Sequence, residues 1–222
     1  DEDSLKNAPK NWIKWVNVGS EVVSKIQLKI NSYRLISESD QRDLLPNNKK
    51  IIDDLLNIHY PDPIIDGIRF EALASFITTL YFSDKNYYRG WITVGSGDRG
   101  VDFVGRLDIG HDSFSNTSII VLGQSKRYKN SISGERLTRV ASRMTRGYIG
   151  VVITLDVFSV PAQHEIKDDK LPIILINGAK LSELVLTYMN KHALTLKEIV
   201  ESQDAWAKEN LGSSHYDSIL SL

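Results

Sequence analysis

An α/β domain with a mixed central sheet flanked by helices is the fold class the sequence predicts, and three observations predict it. From residue 69 onward, segments with helical spacing of apolar residues alternate with short segments rich in β-branched residues. One of the latter, residues 118–124, is a continuous apolar run of the kind a sheet interior takes. The 222 residues suffice for one good core, and no repeat or low-complexity stretch points elsewhere.

The elements follow in order. Residues 12–18 read as a strand, and 20–30 and 48–58 as short helices, the second capped by Asn47 or Asn48. Tyr60-Pro61-Asp62-Pro63 is a break. Phe70, Leu73, Ala74, Ile77, Leu80 and Tyr81 follow helical spacing and predict a helix over 69–82. Residues 91–94, 101–107 and 118–124 read as three strands. A basic helix follows, then a strand at 149–155, a short helix near 161–166 and a strand at 172–176. Helices at 179–190 and 195–210 close the order α-β-β-β-α-β-α-β-α. The expected division is an N-terminal extension or linker over 1–60, partly helical, and a main domain over 61–222.

Composition narrows the function classes. The absence of cysteine removes disulfide frameworks, thiol catalysis and thiolate zinc sites together, and fits a cytoplasmic location. No apolar run approaches the ~20 residues that span a membrane, and no signal peptide opens the chain, so no membrane partner is expected. A start at Asp1 rather than Met suggests a fragment of something longer.

A formal net charge of −1 gives no global pointer to nucleic acid, but the charges cluster. Between Ser118 and Gly150 stand seven basic residues, Lys126, Arg127, Lys129, Arg136, Arg139, Arg143 and Arg146, against the single acid Glu135. The four arginines from Arg136 recur at spacings of 3, 4 and 3, which places them on one face of a helix. Leu137, Val140, Ala141, Met144 and Tyr148 fall on the opposite, core-facing side. A solvated helix face explains such a pattern as well as a phosphate-binding one does. The expected lack of i,i+4 carboxylates to pair with the arginines brings the two readings level.

Chemistry points to two neighbouring strands. Asp102 and Gln124 are symmetric about position 113, in a polar connection between 108 and 117. A hairpin turning there sets the two residues opposite each other, with Cβ atoms ~4.5–5.5 Å apart. Lys126, two residues past Gln124, projects from the same strand face. A slip of one residue through a bulge breaks the grouping. Carboxylate and carbonyl oxygens, from Asp102, Gln124 and the main chain of Ser125, suit Mg²⁺, while Lys126 can orient a water or neutralise a phosphate. A buried Asp–Lys pair beside a strand-end Gln is the competing structural reading.

The segments Arg69-Phe70-Glu71, Gly97-Asp98-Arg99-Gly100-Val101-Asp102 and Gly123-Gln124-Ser125-Lys126-Arg127-Tyr128 resemble the Mrr-type catalytic domain of restriction endonucleases. That domain belongs to the PD-(D/E)xK nuclease superfamily. The resemblance continues through Val151-Val152-Ile153-Thr154, Phe158-Ser159, Ala162, Leu175-Ile176-Asn177-Gly178 and Leu181, and covers roughly residues 65–190. It implies a restriction-endonuclease-like fold, Mg²⁺ as cofactor and double-stranded DNA as partner. It also implies catalytic roles for Asp102, Gln124, Lys126 and the helix acid Glu71, with Asp102, Gln124, Ser125 and Glu71 as metal ligands. Gln124 departs from the Asp or Glu usual in the superfamily and is typical of the Mrr branch. Some modification-dependent restriction enzymes carry this domain behind a base-reading domain, which suggests such a module before Asp1. Arg127, Lys129, Arg136, Arg139, Arg143 and Arg146 are the expected DNA contacts. A homo-oligomer is expected, because one constellation attacks one strand at a time. The alternatives are a branched-DNA or repair nuclease of the same fold, and a catalytically inactive DNA-binding module.

Other features carry less. Gly95-Ser96-Gly97-Asp98-Arg99-Gly100 matches a dinucleotide fingerprint, but a strand rather than a helix follows it. Asp98 lies roughly 13 Å from Asp102 along an extended strand and is better suited to shaping the glycine turn. The five histidines have no metal spacing. Trp12, Trp15 and Trp206 read as core or interface anchors, and Tyr128 as packing or a stacking partner.

Overall fold

A computed structural model describes residues 34–58, 63–82, 87–93, 101–110, 117–127, 129–144 and 147–210. The expected strand at 12–18, the helix at 20–30, the glycine motif at 95–100, Asp98, Tyr128 and Arg146 lie outside the described residues.

Three helices lead in. Helix α1 (Glu38–Arg42) is capped by the Ser37 side chain, which accepts from the Asp40 N–H at 3.1 Å. Helix α2 (Pro46–Asn57) opens on proline, whose missing N–H costs nothing in the first turn. Helix α3 (Pro63–Phe82) also opens on proline, six residues before the expected start. The Pro-rich break ends inside the helix's first turn, where proline is tolerated.

Five strands form one sheet in the order β1 (Tyr87–Ile92), β2 (Phe103–Ile109), β3 (Thr117–Lys126), β4 (Tyr148–Thr154), β5 (Ile173–Ile176). The first two pairings are antiparallel and the last two parallel. The parallel half is wound through helix α4 (Gly134–Ala141) and helix α5 (Val160–Asp168). Helix α6 (Gly178–His192) and helix α7 (Leu196–Asn210) follow β5. The Asn177 side chain caps α6, accepting from Lys180 N–H at 3.0 Å.

The sheet separates two apolar clusters, because alternate side chains of a strand point to opposite faces. On one face Phe103, Leu107, Val121, Val151, Ile153 and Ile176 pack with Phe70, Leu73 and Ile77 of α3. Ile51, Ile52 and Leu55 of α2 join that cluster, so the core continues across residue 60 into the helices that precede it. On the other face Leu122 and Val152 pack with Leu137 and Val140 of α4 and Ala162 and Ile166 of α5.

Three side-chain contacts tie the flanking helices to this frame. Arg69 of α3 and Asp204 of α7 form a buried ion pair, with Nη2 at 2.6 Å from Oδ2 and Nε at 3.0 Å from Oδ1. Gln41 of α1 donates to the Phe158 carbonyl at 2.8 Å and accepts the Phe158 N–H at 3.0 Å. Gln163 of α5 does the same for Ile36, donating at 2.9 Å and accepting at 2.9 Å. Two amide side chains thereby stand in for strand partners and clasp the segment before α2 to the loop after β4.

The basic helix differs from expectation. It ends at Ala141, so Arg143 lies in the turn beyond it rather than on a shared helical face. Arg143 and Met144 donate to Val140 and Ala141, three residues back, which tightens the last turn and stops the helix. The chain must then reverse through Gly147, at φ +87°, to start β4 alongside β3. Tyr148, expected on the helix's core side, is the first residue of that strand.

Candidate active site

The site stands where β2 begins and β3 ends. The expected hairpin centre at 113 holds through seven cross-strand pairs, from Ile109 opposite Thr117 to Phe103 opposite Gly123. One residue further, the ladder changes. The Asp102 N–H donates to Gly123 O at 2.8 Å, so Asp102 and Phe103 share one partner residue. Two residues opposite one is the arrangement of a β-bulge. On its other side Asp102 O accepts from Thr93 N–H at 3.1 Å.

The bulge corrects the expectation that Asp102 faces Gln124 directly. It re-aims the Asp102 side chain at Ser125, whose N–H donates to Oδ2 at 2.6 Å and whose Oγ lies 3.0 Å from the same oxygen. The reason is that β2 has run out. Lys126 O accepts from Leu155 on the β4 side, and main-chain polar groups alternate sides along a strand. The Ser125 N–H and C=O therefore both point toward β2, where no ladder residue remains to meet them. A buried N–H cannot be left without an acceptor cheaply, and the Asp102 carboxylate takes that place.

Lys126 completes the core of the site. Its Nζ stands 4.0 Å from Asp102 Oδ2, and its side chain is 25% exposed against 12% for the aspartate. The cation thus reaches from the last residue of β3 to the solvent edge, while the carboxylate sits deeper. Gln124, between Gly123 and Ser125, is buried, as is its side-chain oxygen. Glu71 lies half-buried on α3, the helix that packs against β2 and β3, two residues beyond the anchored Arg69. Among the described residues no three His, Cys, Asp or Glu side chains gather as a metal site. The donors offered at this end of β3 are of mixed kind: the Asp102 carboxylate, the Gln124 carboxamide oxygen and the Ser125 carbonyl. Such oxygen donors are of the kind that hard divalent cations such as Mg²⁺ take.

The basic residues are spread more widely than their spacing implies. Lys129 pairs with Asp53 at 3.0 Å, and Arg127 donates to the carbonyl of Ile58. Arg139 is exposed and, against expectation, has an i,i+4 carboxylate: Glu135 Oε1 lies 3.5 Å from its Nη2. The Arg136 side chain lies outside the described part.

These positions fall inside a family match. The restriction endonuclease family model of the Mrr catalytic type matches residues 65–185. The chain belongs to that family. Among solved structures, the MspJI restriction endonuclease in complex with a 27-mer oligonucleotide is 29% identical, with a TM-score of 0.66 over 96% of this chain and 48% of that one. The DNA modification-dependent restriction endonuclease AspBHI is 22% identical, with a TM-score of 0.61 over 82% of this chain and 45% of that one. The Mrr-type chain described here thus spans about half the length of either neighbour and shares the PD-(D/E)xK restriction-endonuclease fold. No curated protein matches it. Among the described residues no helix is long and apolar enough to cross a membrane.

Sequence reasoning missed the Ser125 side chain; the bulge is the register slip it names, but the slip does not separate Asp102 from Lys126. The signal for Ser125 was its place between Gln124 and Lys126, where its main-chain carbonyl alone was considered.

Proposed function

We propose that this chain is a Mg²⁺-dependent endonuclease domain that hydrolyses phosphodiester bonds in duplex DNA, as the cutting part of a modification-dependent restriction enzyme. The observation that carries the reading is the Asp102–Lys126 pair, a carboxylate and an ammonium 4.0 Å apart at the end of β3, on the positions the family motif predicts. Asp102, Gln124, Ser125 through its carbonyl and Glu71 are the residues that would hold the metal, and Mg²⁺ would supply Lewis-acid stabilisation of the scissile phosphate and a more acidic water. Lys126, less buried than Asp102, is free to approach a phosphate oxygen or orient the attacking water, and so offsets charge that grows in the transition state. The two similar structures, one a restriction endonuclease in complex with an oligonucleotide and one a DNA modification-dependent restriction endonuclease, support DNA as substrate and modification as its selector.

Plasmid nicking with and without Mg²⁺ tests the reading. Asp102→Ala and Lys126→Ala should each lower cleavage by at least ~10³-fold while retaining most DNA affinity, because both act on the transition state. Either variant cutting within about tenfold of the unsubstituted chain would move the site elsewhere. Binding without metal-dependent nicking would leave an inactive DNA-binding module, and preference for branched over linear duplexes would indicate a resolving or repair nuclease.

A further inference from the structure

We infer that Ser125 is a positioning residue: its hydroxyl, with its own N–H, clamps Oδ2 of Asp102 and leaves Oδ1 as the oxygen presented to the cation. The inference rests on the proposed metal-dependent reading and extends it, since only the main-chain carbonyl of Ser125 has a place in that reading.

Three observations carry it. The two donors converge on one oxygen, N–H at 2.6 Å and Oγ at 3.0 Å, and both residues are buried, at 6% and 8% exposure. Lys126 Nζ approaches that same Oδ2, at 4.0 Å, so the N–H, the hydroxyl and the ammonium all converge on one of the carboxylate's two oxygens. The bulge makes the arrangement possible, because a regular ladder would leave Asp102 directed away from the Ser125 main chain. Hydrogen bonds to a ligand carboxylate fix its orientation, and removing such a partner typically weakens metal affinity about 10–100-fold. Here the N–H remains when the hydroxyl is removed, so the lower end of that range applies.

The test uses the full chain with an uncleavable duplex, and follows Mn²⁺ binding by water-proton relaxation alongside steady-state cleavage. Ser125→Ala should weaken Mn²⁺ binding about tenfold. It should lower kcat at limiting metal, recover most of that kcat at high metal, and leave KM for DNA within about twofold. Ser125→Thr, which keeps the hydroxyl, should restore metal affinity to within about threefold; a thermal melt identifies any variant that has lost its fold. Unchanged Mn²⁺ binding in Ser125→Ala overturns the positioning role. So does a loss of kcat that added metal does not recover. The underlying reading fails separately, and visibly, if the unsubstituted chain shows no Mn²⁺ site sensitive to Asp102→Ala.

Discussion

Gly123 shows how little room single residues have around the site. A Cβ there would run into the Phe103 ring, and Phe103 is fully buried in the main core. Its carbonyl also receives the Asp102 N–H. Gly123→Ala should therefore cost about 1–3 kcal/mol by overpacking and, by shifting the carbonyl, should reduce cleavage beyond what the lower stability explains. Denaturant melts read the first effect, and cleavage rates well below the melt read the second. A variant of unchanged stability would mean the ring moves aside freely. At this scale the sequence is informative about residue types and less so about directions. Asp102 and Lys126 stand 4.0 Å apart although a bulge breaks the register from which their grouping was expected, and the partner of Asp102 is Ser125 rather than Gln124. A bulge depends on where the neighbouring strand stops, and a single strand's residue pattern does not contain that information.

Among the elements, α3 and α4 are instructive opposites. The apolar spacing of α3 predicts most of its core face: Phe70, Leu73, Ala74 and Ile77 are buried and Leu80 is partly buried, but Tyr81, expected on the same face, is exposed. Its tie to α7 is not periodic: Arg69 and Asp204 meet through the tertiary fold, 135 residues apart. Asp204→Ala leaves a buried guanidinium without its carboxylate and should cost about 3–5 kcal/mol, whereas Arg69→Met with Asp204→Leu should cost far less. Equal losses in chemical denaturation would show that the pair's charge is immaterial. For α4 the spacing of the arginines suggests a longer helix than forms, since the return to β4 stops it at Ala141. Arg139, exposed on α4, and Arg143, in the turn after it, remain the proposed phosphate-binding cations. Every phosphate that a side chain neutralises adds ~0.9 to the steepness with which log K falls against log salt on duplex DNA. The double replacement Arg139→Ala, Arg143→Ala should then reduce the slope by up to ~2 and weaken specific and non-specific binding about equally, as read from affinities across a salt series. An unchanged slope would assign both to the protein's own surface.

At the scale of the molecule, one Asp102–Lys126 pair per chain implies one strand cut per active site. Nicks should appear at protein concentrations where the chain is monomeric, and concerted double-strand breaks only where two or more copies assemble on the duplex. Sedimentation and cleavage measured over one concentration range decide this; a monomer making concerted breaks contradicts it. The architecture itself was legible from alternating periodicities and strand lengths, but the reach of the core across residue 60 was not. Ile51, Ile52 and Leu55 extend the core there, and the same leading segment is held by Gln41 and Gln163, whose amides look like surface residues until Phe158 and Ile36 are set against them. That clasp is uncharged on both sides. Rising ionic strength weakens exposed ion pairs such as Arg42–Asp156 and would loosen a polyanion held by the proposed arginines, while a pair of neutral amides feels almost none of it. The domain can therefore let go of a charged partner without its leading helices coming adrift, so release and integrity answer to different properties of the solvent.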